Sequence, residues 1–313
     1  MHPVECFKIR LLTGKADNTW DVKQFSTLLE IPFQHHPLSF NPIVIVADPF
    51  LFTYKERLYL FYEEKRNYSN GVLRMISTTN LKTWTKPVTV LQVEGCHLSY
   101  PFVFEENGAV YMIPESSDLG DIRLYKADDE SLSSFSLYKT LVSKEVISSE
   151  VGYADSSLFK KDGTYYLMSS IESVEGEHKN YLFLFTANQL EGPYTMHPQS
   201  PLCISMKYGR NAGCLLEDNG HLYRVAQDCE VRYGDNVHLF QIDEMNSHSY
   251  QEHLVRENLI PTEIPFYQYG GHQYNFVDFN GQRIVATDAK EYHSFWPYRL
   301  LHKSLLRVRQ LFK

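Results

Sequence analysis

Asp48, in ADPFLF (Ala47–Phe52), and Asp155, in ADSSLF (Ala154–Phe159), occupy the same place in two similar segments. Each follows an alanine and precedes a short apolar run with the character of a core strand. Two carboxyl groups in one pocket are the minimum set for breaking a glycosidic bond. One protonates the leaving oxygen, and the other activates water or attacks carbon. Burial and mutual repulsion push their pKa values apart, which divides the roles. An aspartate at a strand head has a plainer use, accepting from nearby backbone N–H groups; two at matching positions favour the chemical reading. Glu115, in IPES (Ile113–Ser116), is a third acid, at a strand end where an apolar residue ordinarily stands. A structural hydrogen bond accounts for it as well as a site role does.

The elements that must position these acids are repeats. ADPFLFTYKERLYLFYEE (Ala47–Glu64), SYPFVFEENGAVYMIPES (Ser99–Ser116), YADSSLFKKDGTYYLMSS (Tyr153–Ser170), NAGCLLEDNGHLYRVAQD (Asn211–Asp228) and HQYNFVDFNGQRIVATD (His272–Asp288) share one plan. Each is an apolar strand, a polar turn and a second apolar strand. The turns Asn107-Gly108, Asp162-Gly163, Asn219-Gly220 and Asn280-Gly281 are strong hairpin signals; the first copy has Lys55-Glu56 instead. Alignment on the turns places Asp48, Tyr100, Asp155, Ala212 and Gln273 at the heads of the first strands. Glu63, Glu115, Ser170, Gln227 and Asp288 fall at the ends of the second strands. The copies begin near 47, 99, 154, 211 and 272. That spacing, with further apolar runs between copies, predicts an all-β, five-bladed β-propeller in one domain over 1–313. A β-sandwich is the weaker alternative, given five matched hairpins. In the tail, Arg299–Lys313, leucines at helical spacing between basic residues predict a short C-terminal helix. Packing on the rim is its expected use; contact with a partner or membrane surface is the alternative.

In a propeller the innermost strands converge on a central channel, so residues distant in sequence face one funnel. Asp48, Asp155 and Glu115 are therefore the catalytic candidates. Glu63, His97, Tyr100, Arg210, Gln227, Asp228 and His272 are the candidates for substrate binding. Arg210 suits an anionic group, because a guanidinium pairs bidentately with phosphate or carboxylate. Asp228 has two uses, contact with a sugar hydroxyl or a structural pair with Arg210.

The blade pattern resembles the five-bladed propeller glycoside hydrolases, family 43 and its relatives. That resemblance implies that ADPFLF carries the general base at Asp48 and that ADSSLF carries, at Asp155, the acid that orients and tunes the proton donor. LEGPYTMHPQSPL (Leu190–Leu202) resembles a structural strand of those enzymes. The family-43 proton donor is a glutamate at the head of the blade-four strand. Here that place reads Gly209-Arg210-Asn211-Ala212-Gly213, with no carboxylate. Either Glu115 supplies the proton, or the funnel binds a sugar or sugar phosphate without cleaving it. A closer resemblance rests on HLSYPFVF…MIPES, MHPQSPL, YGRNAG (Tyr208–Gly213) and AQDCEVRYGDNV (Ala226–Val237). These are similar to the propeller family found as the N-terminal domain of plant glucosamine inositolphosphorylceramide transferases. The same family occurs in bacterial proteins, alone or beside formyltransferase-like domains. It implies a setting in glycan and glycolipid assembly; the transferase domain proper has no match in the chain.

The bulk properties agree. Of 313 residues 43% are hydrophobic, with 22 tyrosines and 19 phenylalanines, which favours strands. A net charge of −8 argues against a nucleic-acid partner. No apolar run approaches a membrane span of about 20 residues, and MHPVECFKIRLLTGK lacks a signal-peptide core, so a cytoplasmic location is expected. Five scattered cysteines read as reduced thiols. No ligand spacing for a metal and no phosphate-binding loop is present, so no cofactor is expected, although family-43 relatives imply a central calcium. The expected function is a carbohydrate-active propeller, related to glycoside hydrolases or sugar transfer, with a carbohydrate or sugar-phosphate ligand. A non-catalytic glycan or nucleotide-sugar binding module is the second reading, and a protein-interaction scaffold the third.

Overall fold

Turn chemistry builds the repeat. Asn107-Gly108, Asp162-Gly163, Asn219-Gly220 and Asn280-Gly281 have φ between 50° and 81° at both positions. That is the two-residue turn whose twist matches the strands on either side. Lys55 and Glu56 hold the same geometry, with φ of 46° and 59°, without a glycine.

In the computed structural model of the chain, the described residues are 3–16, 20–34, 41–147, 152–172 and 179–294. Their strands form five antiparallel sheets, the blades of a propeller. Blade one is Ile43–Tyr54, Arg57–Arg66, Val72–Thr78 and Val88–Leu91. Blade two is Ser99–Glu106, Ala109–Glu115, Ile122–Ala127 and Phe135–Val142. Blade three holds Ala154–Lys161, Thr164–Glu172 and Asn180–Ala187, with Thr195–Met196 and Cys203–Ile204 at its outer edge. Blade four is a broken inner strand, Arg210–Asn211 and Leu216–Asp218, then His221–Asp228, Asn236–Met245 and Tyr250–Arg256.

Blade five joins the two ends of the described chain. Tyr274–Phe279 and Gln282–His293 pair with Val4–Gly14, which pairs with Ser26–Ile31. The register runs unbroken from Val4 opposite His293 to Gly14 opposite Arg283. The N-terminal strands close the ring, a role that hairpin matching does not reveal because they belong to no local repeat. The predicted C-terminal helix, Arg299–Lys313, lies outside the described residues. Among the described residues, helix is confined to three-residue 3-10 turns, and none is long and apolar enough to cross a membrane.

The core lies between blades rather than at the axis. Phe61, Leu124, Leu167 and Phe185 belong to a cluster shared by blades one to three; Val225, Leu239 and Val285 belong to one shared by blades four and five. Each such side chain, once buried, contributes roughly 1.5–3 kcal/mol. The apolar load is thus carried by the blade faces, which leaves the inner strand heads free to hold polar groups.

Candidate functional site

Three of the inner strands carry the same backbone device, at the second residue in blades two and three and, in blade one, at the sixth residue of Ile43–Tyr54 rather than at its head. Asp48, Tyr100 and Asp155 have φ of 51°, 48° and 51°, and the pairing register shifts across each one and the residue after it. The residues before them, Ala47, Ser99 and Ala154, sit opposite Glu63, Glu115 and Ser170. The left-handed step with its bulge re-aims the side chain at the strand head. Aspartate tolerates that conformation better than most residues; tyrosine does not, so Tyr100 is held there by its surroundings. Its hydroxyl donates to the Gly213 carbonyl (2.6 Å), and its backbone N–H donates to Asp48 Oδ2 (3.1 Å).

In blade four the register places Arg210 opposite Gln227 and Asn211 opposite Ala226. Pairing therefore makes Asn211, not Ala212, the equivalent of the strand heads, because the blade-four inner strand is interrupted before its turn. Arg210 is buried. Its Nε donates to Asp155 Oδ2 (2.5 Å), and its terminal nitrogen lies 3.7 Å from Glu115 Oε2. Glu115 also accepts from the backbone N–H of Asp155 (3.3 Å). Burial first, then the Asp155 carboxylate, raises the Glu115 pKa well above the ordinary value, although Arg210 opposes the rise. Protonation of Glu115 is thus favoured beside the Asp155–Arg210 ion pair. An incoming phosphate would meet a guanidinium already committed to carboxylates.

A second cluster crosses from blade five to blade one. His272 Nδ1 faces Asp288 Oδ2 (2.7 Å), and its Nε2 faces Asp48 Oδ1 (3.3 Å). Asp288 is fully buried and accepts the backbone N–H groups of His272, Gln273 and Asp48. Burial opposes protonation of His272, but the charges of Asp288 and Asp48 outweigh it and raise its pKa to about 9. Burial raises Asp48 to about 7; His272 pulls it down, and the carboxylates of Glu63, Asp288 and Asp155 push it further up. Asp48, His272 and Asp288 each offer a ligand atom, all within 4.8 Å of one another, the one such group among the described residues. The central calcium implied by family 43 does not fit them as they stand. Both ring nitrogens face carboxylates, and a cation must first displace the imidazolium proton.

The other predicted binding residues divide. His97 Nε2 lies 3.2 Å from Glu63 Oε1, and its Nδ1 accepts from the Gly71 N–H (2.9 Å). A side chain at Gly71 would stand 2.5 Å from the Leu98 carbonyl, so only glycine fits beneath the pair. Asp228 joins His238 (3.1 Å) and accepts from the Glu230 N–H (2.9 Å), and so holds its own turn rather than Arg210. Gln227 Nε2, Asn211 Oδ1 and Gln273 Nε2 are buried with no hydrogen-bond partner among the described residues. Orphaned buried polar atoms are uncommon and cost about 1–3 kcal/mol each. A cleft of about 750 Å³ lined by Glu64, Asn70, Gly71 and Cys96 opens beside the Glu63–His97 pair. Another, of about 460 Å³ and lined by Asp228, Arg232 and Asp235, borders the loop after blade four's second strand.

Residues 35–288 match the family described as "Glucosamine inositolphosphorylceramide transferase 1, N-terminal". The chain belongs to this family. Among curated members of the glucosamine inositolphosphorylceramide transferase 1 group, it is 34% identical over 244 residues to the protein of Oryza sativa subsp. japonica. That match covers 76% of this chain and 31% of the rice protein. The Arabidopsis thaliana protein is 31% identical over 230 residues, 72% of this chain and 28% of its own length. The chain thus spans less than a third of the curated family members it matches. Solved propellers share the fold. The α-L-arabinanase of Cellvibrio cellulosa, complexed with arabinohexaose, has a TM-score of 0.52 at 16% identity, covering 66% of this chain and 77% of its own. A xyloglucan-locus GH43B protein of Bacteroides ovatus has a TM-score of 0.54 at 15% identity, covering 80% and 54%.

In this member of the glucosamine inositolphosphorylceramide transferase 1 N-terminal family, two residues of the funnel escape sequence reasoning about site roles. Asp288 has a sequence signal, its place in the strand-end register beside Glu63 and Glu115; only the fold shows that it anchors His272. Tyr233 lies within the family motif Ala226–Val237, but in a loop between strands, where no repeat register points it at the site. Its ring packs edge-on to His272 (centroids 5.2 Å apart) and stands 5.2 Å from the Arg210 guanidinium.

Proposed function

We propose that this protein binds a carbohydrate in its central funnel, as a module of glycan or glycolipid assembly, and that the ligand is a neutral or amino sugar rather than a sugar phosphate. The observation that carries this reading is the convergence of Asp48, Glu115, Asp155 and Asp288 around two cations, Arg210 and His272, that they already engage. Such a floor offers many acceptors to hydroxyl or ammonium donors and opposes a dianion. The orphaned atoms of Gln227, Asn211 and Gln273 supply further groups that hydroxyls would satisfy. The names of the curated relatives and the oligosaccharide of the arabinanase complex support a sugar in the same sense.

A second reading adds chemistry at the same place, favoured by the raised pKa of the buried Glu115. Glu115 would donate its proton to a glycosidic oxygen, and Asp48 would take a proton from the attacking water. Asp155, fixed by Arg210, would orient the donor. The first reading is tested by isothermal titration of glucosamine, neutral methyl glycosides and the corresponding sugar phosphates against wild type and Asp48→Asn/Asp155→Asn. Binding of an uncharged or amino sugar that the double variant loses is expected. Preferential binding of the phosphates overturns it. Incubation of a bound oligosaccharide with wild type and Glu115→Gln tests the second: release of sugar by the former alone is expected, and intact substrate in both rejects catalysis.

A further inference from the structure

We infer that Tyr233 is an aromatic platform at the funnel mouth, on which the apolar face of a sugar ring stacks while its hydroxyls reach the acids below. The inference rests on the reading that the funnel takes a carbohydrate, and it names the residue that would decide ring orientation and much of the affinity.

Tyr233 belongs both to the floor and to the surface. Its ring makes edge contacts with His272 and Phe7, at centroid distances of 5.2 and 6.4 Å, and the Arg210 guanidinium lies over one face of it at 5.2 Å, which leaves the opposite face for a ligand. Burial of the phenol end raises its pKa well above the ordinary value; Arg210 opposes the rise, and the carboxylates of Asp155, Asp48 and Glu115 add to it. Yet the residue is 40% exposed, so a substantial part of it meets solvent above a polar cluster. A partly exposed aromatic residue beside convergent carboxylates has the two properties that a pyranose or furanose needs: an apolar surface for C–H groups and acceptors for O–H groups.

The loop that carries Tyr233 is built to hold it. The buried ammonium of Lys290 donates to the Tyr233 carbonyl and lies 3.7 Å from Asp235 Oδ1. Arg232 pairs with the same carboxylate (2.9 Å). Gly234 has φ of 65°, and a side chain there would stand 3.0 Å from His272 Cβ. Gly270 lies so close that a side chain would meet the Asp235 carbonyl at 2.4 Å and the Gly234 carbonyl at 2.7 Å. A buried lysine and two close glycine approaches are costly ways to fix a surface loop. They hold the platform in place before a ligand arrives, which limits the ordering cost of binding.

The test is titration of methyl glycosides of glucose, glucosamine, galactose, mannose and arabinose into wild type, Tyr233→Ala and Tyr233→Phe. Saturation-transfer NMR on each glycoside that binds accompanies it, and circular dichroism and melting temperature verify folding. A stacking platform predicts at least about a tenfold weaker affinity in Tyr233→Ala, equivalent to about 1.4 kcal/mol, near-normal affinity in Tyr233→Phe, and strongest saturation on the C–H protons of one sugar face, lost in the alanine variant. If a glycoside binds wild type and Tyr233→Ala within twofold, the platform is wrong and the funnel reading stands. If Tyr233→Phe loses as much as Tyr233→Ala, the hydroxyl and not the ring face carries the contact, which also overturns it. If Tyr233→Ala is unfolded, the phenylalanine variant and the saturation pattern on wild type decide alone. Wild type that binds none of the five rejects the funnel reading itself, and the platform with it.

Discussion

Removing the titrating pair at the blade five–blade one seam is expected to change how stability depends on pH. His272 is fully enclosed, and its pKa rises from an ordinary 6.5 to about 9 because the charges of Asp288 and Asp48 outweigh the burial that opposes protonation. A raised pKa means that the folded state binds the proton more tightly than the unfolded state. The resulting stability is complete below pH 6.5 and is lost as pH rises through 9. At 1.36 kcal/mol per pH unit, this shift is worth about 3 kcal/mol. Asp48 acts in the same direction at lower pH. Burial raises it from 3.8 to about 7, so its contribution is lost between those values as pH rises. The two titrate as a pair, so the reference must lack both groups. Urea unfolding of wild type and of Asp48→Asn/His272→Gln, at intervals from pH 4 to 9.5, gives the comparison. Relative to the double variant, wild type should lose about 3 kcal/mol between pH 6.5 and 9. Curves that run parallel within about 0.5 kcal/mol over that window, or a wild type that gains, would refute the charge arrangement assigned to Asp48, His272 and Asp288.

Two further outcomes follow from the same floor. Arg210→Met leaves Asp155 buried without its cation, and should destabilise the protein at pH 7 by about 3–5 kcal/mol in urea unfolding; the deficit should shrink at low pH, where an unpaired buried carboxylate is neutralised, and a deficit independent of pH would show that packing rather than charge is lost. Because both nitrogens of His272 face carboxylates, chelation with EDTA or addition of about 5 mM calcium should shift the melting temperature at pH 7 by less than about 1 °C; a larger rise with calcium would mean that the cluster releases its proton to a cation.

Much of the architecture is written in local sequence. The Asn-Gly and Asp-Gly turns impose hairpins by backbone sterics alone, and five hairpins at blade spacing leave few ways to bury their apolar faces. Asp48 and Asp155 are legible for a similar reason: repeat units fix equivalent positions, so matching acids at strand heads stand out. Glu63 and Glu115 follow from the same register. What pairs with what is not local. Arg210 reads as a free guanidinium awaiting an anion, yet blade closure sets it 2.5 Å from Asp155, 55 residues away. His272 reads as one histidine among 13 until the ring closes and places it between Asp48 and Asp288. Tyr233 lies in a loop with no periodic signal, and its place over the funnel depends on Lys290 from another blade. The N-terminal strand, Val4–Gly14, resembles no hairpin copy because its partner, Gln282–His293, is at the other end of the described chain. Sequence by itself determined the repeating unit and the matched carboxylates of Asp48 and Asp155, because turns and side-chain alternation act over a few residues, but not the blade-four equivalent, which the interrupted strand moves from Ala212 to Asn211. Only the tertiary structure decided which charges neutralise one another, which polar atoms are left without partners and which ring packs against Arg210 and His272, because those depend on how five blades meet around one axis.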